Sequence, residues 1–321
     1  MLAGVMVSLI ITVILSTRIF SPASLNENKR SKQKQDVFYW EAPDPANIPA
    51  TDEGDLIRYG RDLIINTSNY LGPKGTVSAI SNGMNCQNCH LDAGTRIWGN
   101  NYAEVFSTYP KFRARSGSIE NIFKRVNDCI ERSLDGIHGL DTTSREMLAI
   151  YAYMKWLGQQ VPAGVTPKGT GIKNIAFVER AADPAKGKII FELYCQRCHG
   201  KNGEGFIKPD SSGYIFPPLW GDHSYTTAAG LFRLSRLAGY VQYNMPWEIS
   251  RSKPALTEEQ SWDVASYVNS QPRPVKNYKN DWPDIKTKPV DYPFGPYADN
   301  YSETRHKYGP FRELSEKASG N

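Results

Sequence analysis

Two runs of the form Cys-x-x-Cys-His, "CQNCH" at residues 86–90 and "CQRCH" at 195–199, constrain this chain more than any other feature. Two thiols three positions apart on one turn can reach the two vinyl groups of a haem, and the next imidazole can bind its iron. The runs therefore predict two covalently bound haem c groups, one held by Cys86, Cys89 and His90 and the other by Cys195, Cys198 and His199. Zinc suits the pattern poorly, because adjacent Cys and His cannot easily share one tetrahedral ion. Only four other Cys or His residues remain to complete two such sites. The fifth cysteine, Cys129, belongs to neither run.

Each run lies in a similar frame. In the first half "TSRE" opens "MLAIYAYMKWLG", with Thr143 placed to cap a helix and Glu146 to reach back. Met147, Ile150, Tyr151 and Met154 then line one face before Gly158 ends it. In the second half "TEEQ", Thr257 to Gln260, opens a helix with Val264, Tyr267 and Val268 on one face. Counted from the capping threonines, Tyr153 and Tyr267 coincide. Upstream, "RYGRDLII" around Gly60 matches "AKGKIIF" around Gly187, the latter after an Asp183-Pro184 helix start. A helix on either side of the haem run, crossing where glycine permits close approach, predicts a mainly α fold of two tandem class I cytochrome c-like domains. They span residues 51–163 and 181–274, joined by a Gly- and Pro-rich linker at 164–180, and an extended tail follows at 275–321.

The length of 321 residues suits two domains, and 22 % charged residues with 40 % hydrophobic ones read as globular. The exception is residues 1–20, uncharged up to Arg18 and followed by a polar, basic linker at 21–50. This is an export signal or a membrane anchor. Haem c is attached outside the cytoplasm, so the body of the chain must be translocated. Lys29, Arg30, Lys32 and Lys34 would then lie outside, against the usual charge bias. No small-x-small cleavage site follows the apolar run closely, and the expectation is a periplasmic protein anchored to the inner membrane. A net charge of +5 without aromatic-interleaved basic patches points to a small anionic substrate or an acidic partner surface, and not to nucleic acid.

An electron-carrying haem needs a second axial ligand. Between His199 and Thr257 the one methionine is Met245, in "YNMPWE"; His223 and Lys208 compete with it. Between His90 and Thr143 there is no methionine, and Cys129 and His138 are the candidates. Cys129 lies 39 residues after His90, close to the 46 that separate His199 from Met245. A helix expected to start near Ser118 puts Arg125, Cys129 and Ser133 on one face, with Arg132 beside them. Nearby guanidinium groups or a metal hold a thiol as thiolate, the form that binds iron and attacks sulfur. The same guanidinium forks suit an oxyanion.

From about residue 52 to 312 the chain resembles the dihaem thiosulfate dehydrogenases. "MNCQNCHLDAGT", "FRARSGSIENIFKRVNDCIERSLDG" and "SREMLAIYAYMKWL" are similar to their first domain. "CQRCHGKNGEG", "FPPLWG", "NMPW", "DVASYVNSQPRP" and "HKYGPF" are similar to the second domain and its tail. The resemblance implies that His90 and Cys129 ligate the active-site haem, that His199 and Met245 ligate an electron-transfer haem, and that Arg115, Arg125 and Ser133 contact substrate. Asn244 stands where some members carry a lysine. The implied reaction is oxidative coupling of two thiosulfates to tetrathionate, with electrons passed to an acceptor cytochrome or other redox protein. The alternatives are the same site run in reverse as a tetrathionate reductase, a non-catalytic membrane-tethered dihaem carrier, and a haem enzyme acting on a protein-bound sulfur substrate.

Overall fold

This computed structural model describes residues 39–247, 253–276 and 278–318. The apolar segment at 1–20, with most of the polar linker, lies outside the described residues. Among the described residues, no helix is long and apolar enough to cross a membrane.

The paired helix crossings anticipated from the glycines are present in both halves. Thr51 accepts from the Gly54 N–H and starts the helix Asp52–Ile65, whose first turn carries Asp52, Glu53 and Asp55 at the positive end of the helix dipole. This helix crosses Arg145–Gly158 at Gly60, where a Cβ would lie 1.9 Å from the Ala149 carbonyl oxygen and 2.9 Å from Tyr153 Cβ. In the second half Asp183 caps the helix Pro184–Tyr194, with Pro184 in its first turn. That helix crosses Glu258–Ser270 at Gly187, where a Cβ would lie 2.0 Å from the Asp263 oxygen and 2.8 Å from Tyr267 Cβ. No side chain larger than hydrogen fits either crossing, so the two glycines and two tyrosines are equivalent positions of a duplicated unit.

The start of one helix differs from expectation. Ser144, and not Thr143, caps Arg145–Gly158 by accepting from the Met147 N–H. Thr143 instead bonds Asp141, and Glu146 accepts from the Tyr59 hydroxyl at 2.9 Å. The second-half capping box of Thr257 and Gln260 forms as expected. The repeat is therefore kept at the crossing while one helix begins a residue later.

Each crossing has its own core. Leu63, Ile64, Met147, Tyr153 and Leu157 fill the first; Phe191, Trp262, Val264 and Phe311 fill the second. Each such side chain contributes roughly 1.5–3 kcal/mol by leaving water. A third cluster joins Leu91 and Cys89, beside the first haem run, to Ile172, Tyr225, Phe232 and Tyr240.

The helix predicted from Ser118 begins later, at Ile122, with Asn121 as its cap. Ser118–Glu120 is instead a strand pairing antiparallel with Lys111–Arg113, Phe112 opposite Ile119. Ile119 mimics an apolar helix position in the sequence, yet it is 73 % exposed. The chain beyond 274, expected to be extended, also forms the short helices Glu303–Tyr308 and Arg312–Ala318. Phe311 between them is buried in the second core, which explains why the tail folds there.

Candidate functional site

In the first half, His90 follows the two cysteines and its ring stacks on Tyr102 with centroids 4.5 Å apart. Its Nδ1 donates to the Asn100 carbonyl at 2.5 Å, which makes Nε2 the nitrogen that carries the lone pair, with the Asn100 side-chain amide 3.5 Å from it. Asp92 and Ala93, just beyond, both have positive φ, near 55° and 57°. The Tyr153 hydroxyl holds that turn through the Ala93 carbonyl at 3.0 Å, so the crossing tyrosine also supports the haem run.

Cys86, Cys89, His90 and Cys129 line one cavity of about 220 Å³, together with Arg125 and Ser133. The helix Ile122–Ser133 supplies the last three at i, i+4 and i+8, as the spacing predicted. Burial alone would raise the Cys129 thiol. A hydrogen bond from His90 in its protonated form, the Arg125 charge and the Ser133 hydroxyl outweigh it and hold the thiol down at about 6. Burial pushes Cys86 and Cys89 in the same cavity up to about 12. One thiol is thus prepared as an anion and two are kept neutral, which separates a nucleophile or ligand from two attachment points.

The other candidates sort by position. His138 is exposed and bonds the adjacent Gly139 carbonyl. Arg125 has no carboxylate within ion-pair distance among the described residues. Arg115 does not line the cavity; it pairs with Asp128 at 3.0 Å. Burial raises the Asp128 carboxyl, but Lys124 and Arg115 outweigh it and hold it below the usual range. Arg132, expected beside Cys129, points the other way. It is 8 % exposed, makes a bidentate pair with Asp281 of the tail at 2.6 and 2.7 Å, and stacks on Tyr278. Three cations not named as site residues from the sequence do line the cavity: Lys111 and Arg113, which belong to the basic run from Lys111 to Arg132, and Arg236. The alternation in "KFRAR" was the available signal for two of them, since period 2 places Lys111 and Arg113 on one side of a strand.

In the second half Cys195, Cys198, His199 and Met245 line a cavity of about 570 Å³, within the range of ~300–1,000 Å³ usual for cofactor sites. His199 Nδ1 donates to the Pro217 carbonyl at 2.8 Å, again presenting Nε2, and burial holds this imidazole below its usual pKa. Met245 ends the helix Leu234–Asn244. Lys208 lines the same cavity, whereas His223 is exposed. The residues around Met245 are held from the first half: Asn244 donates to the Trp98 carbonyl at 3.1 Å, and the Arg96 guanidinium lies 3.9 Å over Trp247. Asn85 and Cys89 line both cavities, so the two sites share a wall.

Both donor sets fit a covalent haem: a thiol pair for the vinyl groups, an imidazole with Nε2 exposed by its Nδ1 bond, and a sulfur in the same cavity.

Comparison with known proteins agrees with this organisation. Residues 77–162 match the SoxA/TsdA cytochrome c domain, and residues 184–272 match the cytochrome c domain. The chain is similar to the thiosulfate dehydrogenase of Psychrobacter arcticus, 36 % identical over 245 residues, covering 75 % of this chain and 71 % of that protein. It is also similar to that of Allochromatium vinosum, 34 % identical over 237 residues, covering 73 % and 84 %. Among solved structures, the thiosulfate dehydrogenase TsdBA of Marichromatium purpuratum superposes with a TM-score of 0.68 at 27 % identity. That match covers 74 % of this chain and half the length of the other.

Proposed function

Because the chain belongs to the thiosulfate dehydrogenase family, we propose that it couples two thiosulfate dianions oxidatively into tetrathionate. It is an oxidoreductase with two covalent haem c groups. The first domain, 51–163, would carry the active site, its haem held by Cys86, Cys89, His90 and Cys129. The second, 181–274, carries the electron-transfer haem with His199 and Met245.

Two dianions repel, so the site must place positive charge where they meet. Arg125 does this directly, one helical turn from Cys129. Arg115 acts through Asp128, neutralising the carboxylate next to the reactive cysteine. The Ser133 hydroxyl stabilises the thiolate from the following turn. The Cys129 thiolate and the sulfane sulfur of one thiosulfate lose two electrons as an S–S bond forms between them. A second thiosulfate attacks that sulfane sulfur and breaks the new bond, which releases tetrathionate and restores the thiolate. Haems held at these sites would supply the sink for those electrons, and the Cys129 thiolate would lower the potential of the first and the Met245 thioether raise that of the second, favouring transfer outward to an acceptor cytochrome. The chemistry is reversible, and tetrathionate reduction is the same reading run backwards.

The observation that carries the reading is the face of Arg125, Cys129 and Ser133 on one helix, lining the same cavity as His90. A carrier haem has no use for it. Attachment of haem c requires export, so the protein acts in the periplasm, and we assign residues 1–20 as its inner-membrane tether. The test is steady-state turnover of the purified dihaem protein with thiosulfate and ferricyanide, beside tetrathionate with a reduced donor. Turnover lost in Cys129→Gly, with both haems retained, supports the reading. No turnover in either direction, with both haems reducible, leaves an electron carrier.

A further inference from the structure

The cavity around Cys129 has more positive charge than one catalytic arginine explains. Lys111, Arg113, Arg125 and Arg236 all line it, against the single carboxylate Glu104 among the described residues. Lys111 lies 3.6 Å from Glu104, whose carboxylate also accepts from Thr166 at 2.7 Å. Arg113 and Arg125 have no ion-pair partner among the described residues.

Arg236 comes from the other half of the molecule, on the helix Leu234–Asn244 that leads to Met245. One turn earlier, Arg233 is ion-paired with Asp291 at 2.6 Å and does not line the cavity. Among the described residues, the Arg236 guanidinium has one hydrogen-bond partner, the amide oxygen of Asn174 at 3.5 Å. Burial, and then the neighbouring Arg233, lower its pKa; Asp291 and Glu104 oppose this, and Arg113 across the domain boundary adds to it. Like charges gathered in a partly buried cavity are unfavourable unless an anion sits among them.

We propose that Lys111, Arg113 and Arg236 form an outer oxyanion site built across the boundary between the two domains, with Arg236 as the second domain's contribution to the first domain's cavity. It rests on the thiosulfate reading for one of its two possible occupants. A sulfur oxyanion waiting beyond Arg125 and the paired carboxylates of the first haem present the same chemistry, and guanidinium forks bind either in bidentate fashion.

The experiment uses the full dihaem protein with Arg236→Gln, Arg236→Lys and, as a control on the same helix, Arg233→Gln. Thiosulfate binding to the oxidised protein is measured by calorimetry, and the potential of each haem by spectroelectrochemistry. For Arg236→Gln, binding roughly tenfold weaker with the first haem's potential unchanged identifies a sulfur oxyanion. A fall of ~59 mV in the first haem's potential, a tenfold change for a one-electron couple, with binding unchanged identifies the haem carboxylates. Arg236→Lys, which keeps the charge, should recover most of either effect. The proposal is overturned if Arg236→Gln changes neither quantity or if Arg233→Gln does the same. Neither readout requires turnover, so a wild-type protein that fails to oxidise thiosulfate defeats the proposed activity without deciding this site.

Discussion

The two haem domains use the same frame for opposite purposes. Both cross their helices at a glycine against a tyrosine, and both orient the histidine through a backbone carbonyl. Facing the histidine, the first domain brings up Cys129 from the middle of a helix whose Arg125 has no ion-pair partner among the described residues. The second brings up Met245 from the end of a helix, in a cavity lined largely by apolar groups. A duplicated fold therefore fixes where the histidine stands, and the segment between the two shared crossings decides which sulfur and which charges share its cavity. Function diverged in the loops and short helices while the crossings stayed.

Exchanging the two sulfurs breaks this comparison most directly. Cys129→Met should make the first site resemble the second: both haems remain attached, the first haem's potential rises, and thiosulfate turnover falls by roughly 10³-fold or more. Retained turnover would show that the thiol has no chemical part. Met245→Cys, the reciprocal change, should lower the second haem's potential by ~59 mV or more and leave a slower enzyme that still oxidises thiosulfate. Spectroelectrochemistry on both variants reads the exchange.

Smaller changes sharpen the equivalence of the halves. Gly60→Ala and Gly187→Ala each push a Cβ against a backbone oxygen, and each should cost about 1–3 kcal/mol in denaturant unfolding of the holoprotein. A neutral result at Gly187 beside a large one at Gly60 would mean that the second crossing is looser. Smallest are the caps. Ser144→Ala and Thr257→Ala should each cost about 1 kcal/mol, whereas Thr143→Ala, outside the helix, should be close to neutral in thermal unfolding.

The fold was legible where local chemistry suffices. Asp183-Pro184 can do little but start a helix, and glycine beside a helical tyrosine in both halves announced the crossings. Legibility failed where a distant partner decides. Ile119 has helical spacing from Ile122 and Phe123, but Phe112 claims it across a hairpin, and Asn121 is the better cap. Arg132 shares a helix with Cys129, yet Asp281, 149 residues away, draws it to the opposite face. Arg115 likewise answers to Asp128. Arg236 could not be found by reading near Cys129, because the contribution of one domain to another's cavity leaves no local pattern.

The grip of Trp98 and Arg96 on the residues around Met245 has a consequence for descent. A gene encoding the second half alone would carry Cys195, Cys198, His199 and Met245 and still lack part of the cavity wall and the ground on which its ligand segment stands. The second copy is in this sense hereditary property of the pair. It can change only as far as its sister allows, and shuffling it into another protein would separate the sulfur from what holds it in place.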